Sequence, residues 1–343
     1  MKSEVGLLIG AGSIGKRHAL VMRTHYQQIV IVDTNDQIRN WVETNMGTDT
    51  PFFTSLNEAL GFIRNQASSV SAVVANLAPD HFDTLHSLMK AGIKRIVCEK
   101  PITNCLDDAN KLVELTKIYG ARIIVNIPRR FTKFAEAINE FSNQRMGGPP
   151  TSMVVHGGAK CLVTNGSHWV DFAISLFGEP PEKVVSFAEP EFINPRGKNL
   201  EMWGGVSTWW FSGGRTLTIS FDNASSVESV ANIYSRNGRT DCFIDGSADF
   251  FLRKPEELLI DSRTTRSGLV YRLHDRIEPI DGNTFLLALL AIEISESPDF
   301  TLGEALMSNE ATLGALVSAR EKQIVTFPIT KDFECFTNRW NVT

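Results

Sequence analysis

Over the first third of the chain, short apolar runs alternate with segments whose apolar positions recur at helical spacing. The apolar runs predict β-strands at residues 5–9, 29–32, 70–75, 95–98 and 122–125. The helical segments between them are residues 56–64, 82–91 and 107–119. This alternation is typical of an α/β domain in which helices cover both faces of a doubly wound parallel sheet. Ligands of such sheets bind at the carboxyl ends of the strands, so we expect the loops after the first four strands to border one cleft.

Beyond residue 126 the pattern becomes that of an α+β domain. A helix is predicted at residues 131–141, and a Gly-Gly-Pro-Pro break follows it at 147–150. Turns at 212–214 and at Asn237-Gly238 then predict hairpins of a large, mostly antiparallel sheet. Leu217, Ile219 and Phe221 alternate with polar residues, so one face of this sheet is expected to be buried.

The length of the chain predicts two domains. With 343 residues it exceeds the usual size of one hydrophobic core, and 43% hydrophobic residues suffice to form two. Helical patterns return at residues 284–295 and 303–321. We therefore predict a parallel-sheet domain at residues 1–125 and an α+β domain at residues 126–343.

The charge distribution and the spacing of the cysteines and histidines limit the partners, the location and the metal binding that we expect. Acidic and basic residues are interleaved and the net charge is −5, so neither nucleic acid nor an anionic membrane is an expected partner. No apolar run approaches the roughly 20 residues that cross a bilayer. The cysteines form no Cys-x-x-Cys pair and the histidines have no ligand-like spacing, which predicts reduced thiols, a cytoplasmic location and no metal site. The cysteines are Cys98, Cys105, Cys161, Cys242 and Cys335.

A glycine-rich turn lies between the first strand and the helix that follows it. Its sequence is Gly10-Ala11-Gly12-Ser13-Ile14-Gly15. In a dinucleotide site the first glycine permits the tight turn, the second lets a pyrophosphate approach the backbone, and the third lets the helix pack on the strand. The backbone amides at the helix start, near Ser13 and Ile14, then face the anion. These residues predict a Rossmann domain.

Asp33 ends the second strand and predicts the choice of dinucleotide. At this position a carboxylate can accept hydrogen bonds from the 2′-hydroxyl of an adenosine ribose. It would repel a 2′-phosphate. We therefore expect NAD as the cofactor, with NADP as the second choice, although acids at strand ends also serve as turn formers.

The strand at 95–98 leads into Glu99-Lys100-Pro101. Together with the glycine turn, the preceding Ala91-Gly92 and the junction at residues 126–130, this segment resembles the Gfo/Idh/MocA family of nicotinamide-dependent oxidoreductases, whose members typically carry Glu-Lys-Pro here. The resemblance covers most of the chain. It implies a Rossmann domain followed by a substrate-binding and oligomerisation domain, and a homodimer or homotetramer formed through the C-terminal sheet.

The resemblance also assigns roles to this segment. Glu99 and Lys100 are expected to contact the cofactor, and Lys100 is expected to be catalytic. An ammonium at the edge of a nicotinamide can bind a substrate oxygen and stabilise the charge that develops on it during hydride transfer. The alternative is that Lys100 is an ordinary surface lysine that precedes a proline in a turn.

A second candidate segment lies at residues 164–172. Asn165 to Ser167 can cap a helix that has His168 in its first turn and Asp171 one turn further on. In the family the histidine of this His-x-x-Asp pattern accepts or donates the proton, so the resemblance makes His168 catalytic and places Asn165 and His168 at the substrate. An unperturbed imidazole, with a pKa of roughly 6.5, suits proton transfer near neutrality. Asp171 is expected to be structural. Many members carry an aspartate where this chain has Thr164, which argues against a carboxylate-assisted mechanism.

Two further segments match the family. Asn126, Arg129 and Arg130 lie at a junction that often contacts substrate or cofactor, and arginine suits carboxylate or phosphate oxygens, although either arginine could equally bridge the domains. The turn Leu77-Ala78-Pro79 resembles the family's turn against the cofactor. Asp83 stands where members usually carry a histidine.

The function expected from these residues is hydride transfer between NAD(P) and a secondary hydroxyl or ketone of a sugar, cyclitol or sugar derivative. Three alternatives remain open at this point. The protein could act on nucleotide sugars, with an arginine at the phosphates, or reduce a tetrapyrrole or imine. It could also be a dinucleotide-binding regulator without catalysis.

Overall fold

The computed structural model describes residues 5–192, 194, 199–254, 270–279 and 302–342. These residues form two compact units. The first contains the chain up to Pro128 together with the described residues 302–309 and 337–342. The second contains the other described residues from Arg129 onward. The division near residue 128 lies close to the predicted boundary, while the assignment of the whole C-terminal part to one domain stays a prediction.

The first unit is built on a parallel sheet. Its strands are β1 (Val5–Ile9), β2 (Gln28–Val32), β3 (Phe52–Phe53), β4 (Val70–Val74), β5 (Arg95–Cys98) and β6 (Arg122–Val125). They lie in the order β3-β2-β1-β4-β5-β6, and every neighbouring pair is parallel. The helices are α1 (Ser13–Met22), α2 (Ile38–Met46), α3 (Leu56–Phe62), α4 (His81–Lys90) and α5 (Leu106–Tyr119). This sheet confirms the predicted doubly wound α/β domain.

The central strands form the core of this unit. Every residue of β1 and β4 is buried, as expected for strands that are covered on both faces. Because β1 and β4 are adjacent and β2 and β5 flank them, the loops after these four strands leave the same edge of the sheet. These are the loops that the sequence predicts at the cleft.

The second unit is built on a large mixed sheet. Its described strands are β7 (Ser152–Gly157), β8 (Lys183–Phe192), β9 (Met202–Trp210), β10 (Thr216–Phe221), β11 (Val230–Ser235), β12 (Gly238–Phe243), β13 (Ala248–Arg253), β14 (Val270–Ile277) and β15 (Val325–Thr326). Their order is β14-β13-β12-β11-β7-β10-β9-β8-β15. Strands β7 and β10 pair in parallel, and the other neighbouring pairs are antiparallel. The predicted hairpins β9–β10 and β11–β12 are both present.

One face of this sheet is buried, as the alternation in β10 predicts. Leu217, Ile219 and Phe221 are buried while the intervening residues are half-exposed. Helices of the unit are α6 (Phe134–Arg145) and α7 (Ser167–Phe177), and α8 (Leu302–Glu321) contributes its residues from 310 onward. Trp209 on β9 donates its indole N–H to the carbonyl of Ala311 on α8, at 2.9 Å.

The start of one helix differs from expectation, and some strands are missing from the prediction. The helix predicted at residue 131 begins at Phe134, because Pro128–Thr132 form a 3₁₀ turn and Lys133 has a left-handed backbone with φ of 54°. Strands β7 and β8 are absent from the sequence-based prediction. The helix predicted at residues 284–295 lies outside the described residues, whereas the one predicted at 303–321 is α8.

Candidate active site

The glycine turn of the first unit is closely packed at two of its three glycines, Gly10 and Gly15. Gly10 has φ of +88°, and a Cβ there would lie 2.5 Å from the backbone nitrogen of Asn76. A Cβ on Gly15 would collide with the carbonyl oxygen of Gly10. These two positions therefore need glycine for the turn and for the close approach of α1 to the strand.

Gly12 is less enclosed than the other two glycines of the motif, Gly10 and Gly15. Apart from its two chain neighbours, no described residue has a heavy atom within 4 Å of the position that a Cβ on Gly12 would take. Gly12 is exposed, and helix α1 begins at the next residue, Ser13. The first-turn amides of α1, which include those of Ser13 and Ile14, have no acceptor in the preceding turn and stand at the positive end of the helix. The open space at Gly12 fits an anionic group such as a pyrophosphate.

Asp33 is fixed beside this turn. Its Oδ2 atom accepts a hydrogen bond from the backbone N–H of Ala11 at 2.7 Å, and its Oδ1 atom accepts one from Asn35 at 2.9 Å. Each carboxylate oxygen can accept a further bond from a ribose hydroxyl. The backbone thus presents the Asp33 carboxylate in one orientation at the carboxyl end of β2.

A cavity of about 700 Å³ joins these residues. Of the predicted cofactor-binding set, its lining contains Gly10, Gly12, Asp33 and Leu77. Leu77 is 44% exposed, whereas Ala78 beside it is buried and Pro79 is half-buried in the 3₁₀ turn that starts α4. The described lining also carries Asp80 and Asp83 and contains neither lysine nor arginine. The acidic side chains of the lining therefore disfavour the 2′-phosphate that distinguishes NADP from NAD.

The predicted catalytic segment follows β5 at the same edge of the sheet. Glu99 is buried, and its Oε1 atom receives hydrogen bonds from His18 Nε2 at 2.7 Å and from Asn126 Nδ2 at 2.6 Å. Burial alone would raise the pKa of Glu99, but the bonds from His18 and Asn126 and the nearby charges of His18 and Lys100 hold that pKa below its usual range. Direct contact of Glu99 and Asn126 with a ligand stays a prediction.

Lys100 is half-buried and is followed by a cis peptide bond to Pro101. The Pro101 carbonyl accepts a hydrogen bond from His81 Nδ1 at 2.8 Å. The segment is thus held on both sides of Lys100, by His18 through Glu99 and by His81 through Pro101. Sequence reasoning missed both histidines. The sequence does carry one sign that His18 is buried, because helical spacing places it on the same face as Gly15, Ala19 and Met22.

The second unit holds the other candidate residues around α7. A π-helical turn, Leu162–Gly166, leads into this helix, and such turns are frequent at functional sites. Asn165 lies in the turn and accepts a hydrogen bond from the backbone N–H of Cys161 at 3.2 Å. His168 is in the first turn of α7 and is half-buried.

Asp171 and Arg130 form a buried ion pair beside His168. Asp171 is fully buried, and both of its carboxylate oxygens lie 2.9 Å from Nε of Arg130. This contact joins the 3₁₀ turn before α6 to the first turns of α7. It supports the structural role expected for Asp171.

Arg129 is also enclosed by α7. Its guanidinium lies 4.2 Å from the ring centre of Trp169 and 5.9 Å from that of Phe172. Burial lowers the pKa of Arg129 to about 10. Among the described residues, its Nε and Nη2 atoms have no hydrogen-bond acceptor. The cation is therefore held by aromatic faces, and substrate binding by Arg129 or Arg130 stays a prediction.

Among the described residues, no group of three or more His, Cys, Asp or Glu side chains is arranged to hold a metal ion. None of their helices combines the length and apolar character that crossing a membrane requires.

Comparison with known proteins places this site in a class. Residues 6–127 match the model of an oxidoreductase family with an NAD-binding Rossmann fold, GFO_IDH_MocA. These residues thus match an NAD-binding Rossmann domain of the Gfo/Idh/MocA type, as the sequence resemblance predicts.

Individual relatives agree with this assignment. The chain is 29% identical over 163 residues to an uncharacterised oxidoreductase of Schizosaccharomyces pombe, covering 42% of each chain. It is 26% identical over 155 residues to the inositol 2-dehydrogenase/D-chiro-inositol 3-dehydrogenase of Shouchella clausii, covering 44% of this chain and 43% of that protein. The matches thus span less than half the length of these relatives.

A solved structure extends the similarity of fold. Levoglucosan dehydrogenase, in complex with NADH and levoglucosan, superposes with a TM-score of 0.71 over 94% of this chain and 99% of that chain. The sequence identity is 14%, so this likeness concerns the fold alone.

Proposed function

We propose that this protein is an NAD-dependent oxidoreductase that transfers a hydride between nicotinamide and a secondary hydroxyl or ketone of a sugar, cyclitol or sugar derivative. One observation carries the proposal. In the first unit, the glycine turn with open space at Gly12 follows β1. Lys100 follows β5 of the same parallel sheet, and its two neighbours, Glu99 and Pro101, are both hydrogen-bonded. The similarity to an inositol dehydrogenase supports the substrate class.

Lys100 would bind and polarise the reacting oxygen. When bound, NAD supplies the acceptor or donor of the hydride. As an alcohol carbon loses its hydride, negative charge develops on its oxygen, and a fixed ammonium stabilises that charge. The anchors on Glu99 and Pro101 restrict the backbone that carries Lys100, which reduces the reorganisation needed in the reaction.

His168 would accept the hydroxyl proton during oxidation and return it during reduction. Its place in the first turn of α7 and its partial exposure suit a group that must exchange a proton. Asp171, bonded to Arg130, stabilises the helix that carries His168. Asn165, in the π-helical turn before His168, would add a polar contact to the substrate.

The test is a panel of sugars, cyclitols and nucleotide sugars, offered with NAD and NADP in parallel and followed at the nicotinamide absorption band. Lys100→Met should abolish turnover while NADH still binds. Lys94→Met is a matched control, because Lys94 is exposed and precedes β5 at its opposite end. Full activity of Lys100→Met would refute the role of this lysine. Tight NADH binding with no substrate in the panel would favour a dinucleotide-binding regulator.

The assembly expected from the resemblance remains part of the proposal. Phe187 on β8 is 79% exposed and lies opposite Val206 on β9, which is 44% exposed. Such an apolar pair on an open sheet face suits contact with a second copy of the chain. Sedimentation of the wild type and of Phe187→Asp tests this, and a wild type that stays monomeric at micromolar concentration would refute it.

A further inference from the structure

His81 is a buried histidine that the proposed mechanism does not use. It is the first residue of α4 and is 1% exposed. Its two ring nitrogens both face backbone carbonyl oxygens, Nδ1 that of Pro101 at 2.8 Å and Nε2 that of Asn76 at 3.1 Å. The imidazole therefore stands between the loop that follows β5 and the loop that follows β4.

The chemistry of the ring decides which contact is the hydrogen bond. A carbonyl oxygen only accepts, and a neutral imidazole carries a single N–H. Burial lowers the pKa of His81 despite the opposing effects of the two carbonyls, Glu99 and Asp80, so the neutral ring is favoured near neutral pH. The contact with Pro101 is the shorter of the two, so the N–H is placed on Nδ1, which then donates to Pro101.

The two loops are the ones that matter for the proposed reaction. Pro101 directly follows Lys100, and Asn76 lines the cavity beside the glycine turn. We propose that His81 is a positioning residue for Lys100, acting through the Pro101 carbonyl, and that it holds the lysine backbone in register with the loop that lines the dinucleotide cavity. The effect of His81 on turnover rests on the proposed function. Its effect on the position of Lys100 is independent of that function.

Three substitutions at His81 test the direction of the bond. The amide nitrogen of asparagine lies near the position of Nδ1, and that of glutamine lies near Nε2. Since small misplacements of a catalytic group cost one to two orders of magnitude in rate, we expect His81→Ala and His81→Gln to lower kcat by about tenfold or more. His81→Asn, whose amide nitrogen lies near the position of Nδ1, should keep most of the wild-type kcat. The affinity for NADH should change little in any of them.

The matched control is His86→Asn on the same helix. His86 is half-buried between the rings of Phe82 and Tyr119 and contacts neither carbonyl. The variant His86→Asn should leave kcat unchanged. If His81→Ala does not fold, the comparison of His81→Asn with His81→Gln still decides. Equal kcat values for these two variants would overturn the proposal.

A readout without turnover separates this inference from the proposed function. Lysines of the full chain are reductively methylated with ¹³C in the presence of NADH, and the Lys100 signal is assigned by its loss in Lys100→Arg. His81→Gln should shift this signal, and His81→Asn and His86→Asn should leave it in place. A Lys100 signal that is identical in wild type and His81→Gln would refute the positioning role. A shifted signal in a protein without turnover on any substrate would support this inference and count against the proposed function alone.

Discussion

The Nε2 atom of His18 lies 2.7 Å from the Oε1 atom of Glu99, and both side chains are buried in the first unit. His18 belongs to α1, the helix that begins at the glycine turn, and Glu99 directly precedes Lys100. The contact thus connects the helix that follows the glycine turn with the segment Glu99-Lys100-Pro101. Asn126 at the end of β6 bonds to the same carboxylate oxygen and extends the network to a third strand end.

This network makes stability depend on the charge of Glu99. The pKa of Glu99 is lowered in the folded protein, so in acid the unfolded chain binds more protons than the folded one. The stabilisation is complete above the usual carboxyl pKa of 4.5 and is lost as the pH falls through the lower folded pKa. Because Glu99→Gln removes one partner of a buried pair, we expect it to cost about 3 kcal/mol near neutral pH.

Urea unfolding of wild type and Glu99→Gln between pH 7 and pH 3 measures this difference. It should shrink as the pH falls, because protonation removes the charge that the variant lacks. Glu43→Gln, on the exposed face of α2, should match the wild type throughout. A difference between wild type and Glu99→Gln that stays constant over the whole range would contradict the assignment.

The contrast between found and missed residues follows from the range of their interactions. Gly10, Gly15 and Asp33 were predictable because a strand, a turn and a helix adjacent in sequence fix their roles. The bonds of His18 to Glu99 and of His81 to Pro101 join segments distant in sequence, and neither histidine stands in a recognisable motif. Strand β3 has only two residues and carries no periodic signal.

Asp33 should set the preference for NAD over NADP. Its carboxylate is fixed by two backbone amides, and the other charged residues in the described cavity lining are Asp80 and Asp83. We expect NADH to bind at least about tenfold more tightly than NADPH, a difference of about 1.4 kcal/mol. Asp33→Ser should reduce this ratio. Fluorescence titration with both dinucleotides measures it without any substrate.

Asp36 provides the control for this titration. It lies close to Asp33 in sequence, but it is exposed and pairs with Arg39. Asp36→Ser should keep the ratio of the wild type. If both variants change the ratio equally, overall charge and not the fixed carboxylate discriminates between the dinucleotides.

The Arg130–Asp171 pair should be strongly coupled. Asp171 is fully buried, so Asp171→Asn leaves the guanidinium of Arg130 facing a neutral amide in a poorly solvated place. We expect a loss of about 3 kcal/mol in the free energy of unfolding. The double variant Arg130→Met, Asp171→Leu should lose less than the sum of the two single changes.

Urea unfolding of the wild type, Arg130→Met, Asp171→Leu and the double variant gives the coupling energy. The exposed pair Arg39–Asp36 is the comparison, and its coupling should be about 0.5 kcal/mol. Strictly additive losses at Arg130 and Asp171 would show that the two groups act independently.

Gly12 and Gly15 should separate cofactor binding from folding. A Cβ on Gly15 collides with the backbone of Gly10, which must move, so Gly15→Ala should cost about 3 kcal/mol of stability. A Cβ on Gly12 meets no described atom, and its cost is limited to about 1 kcal/mol for alanine at a helix N-cap. That Cβ would nevertheless occupy the space proposed for the pyrophosphate. Gly12→Ala should therefore weaken NADH binding by about tenfold or more, equal to about 1.4 kcal/mol.

Urea unfolding and NADH fluorescence titration, run on both variants, provide the comparison. Gly12→Ala should combine a nearly normal free energy of unfolding with poor affinity for NADH. Gly61→Ala on α3 is the control, because its Cβ also meets no described atom and it is not among the residues that line the cavity. Normal NADH affinity in Gly12→Ala would mean that the dinucleotide does not approach the backbone at this turn, and the assignment of the cavity to NAD would then be wrong.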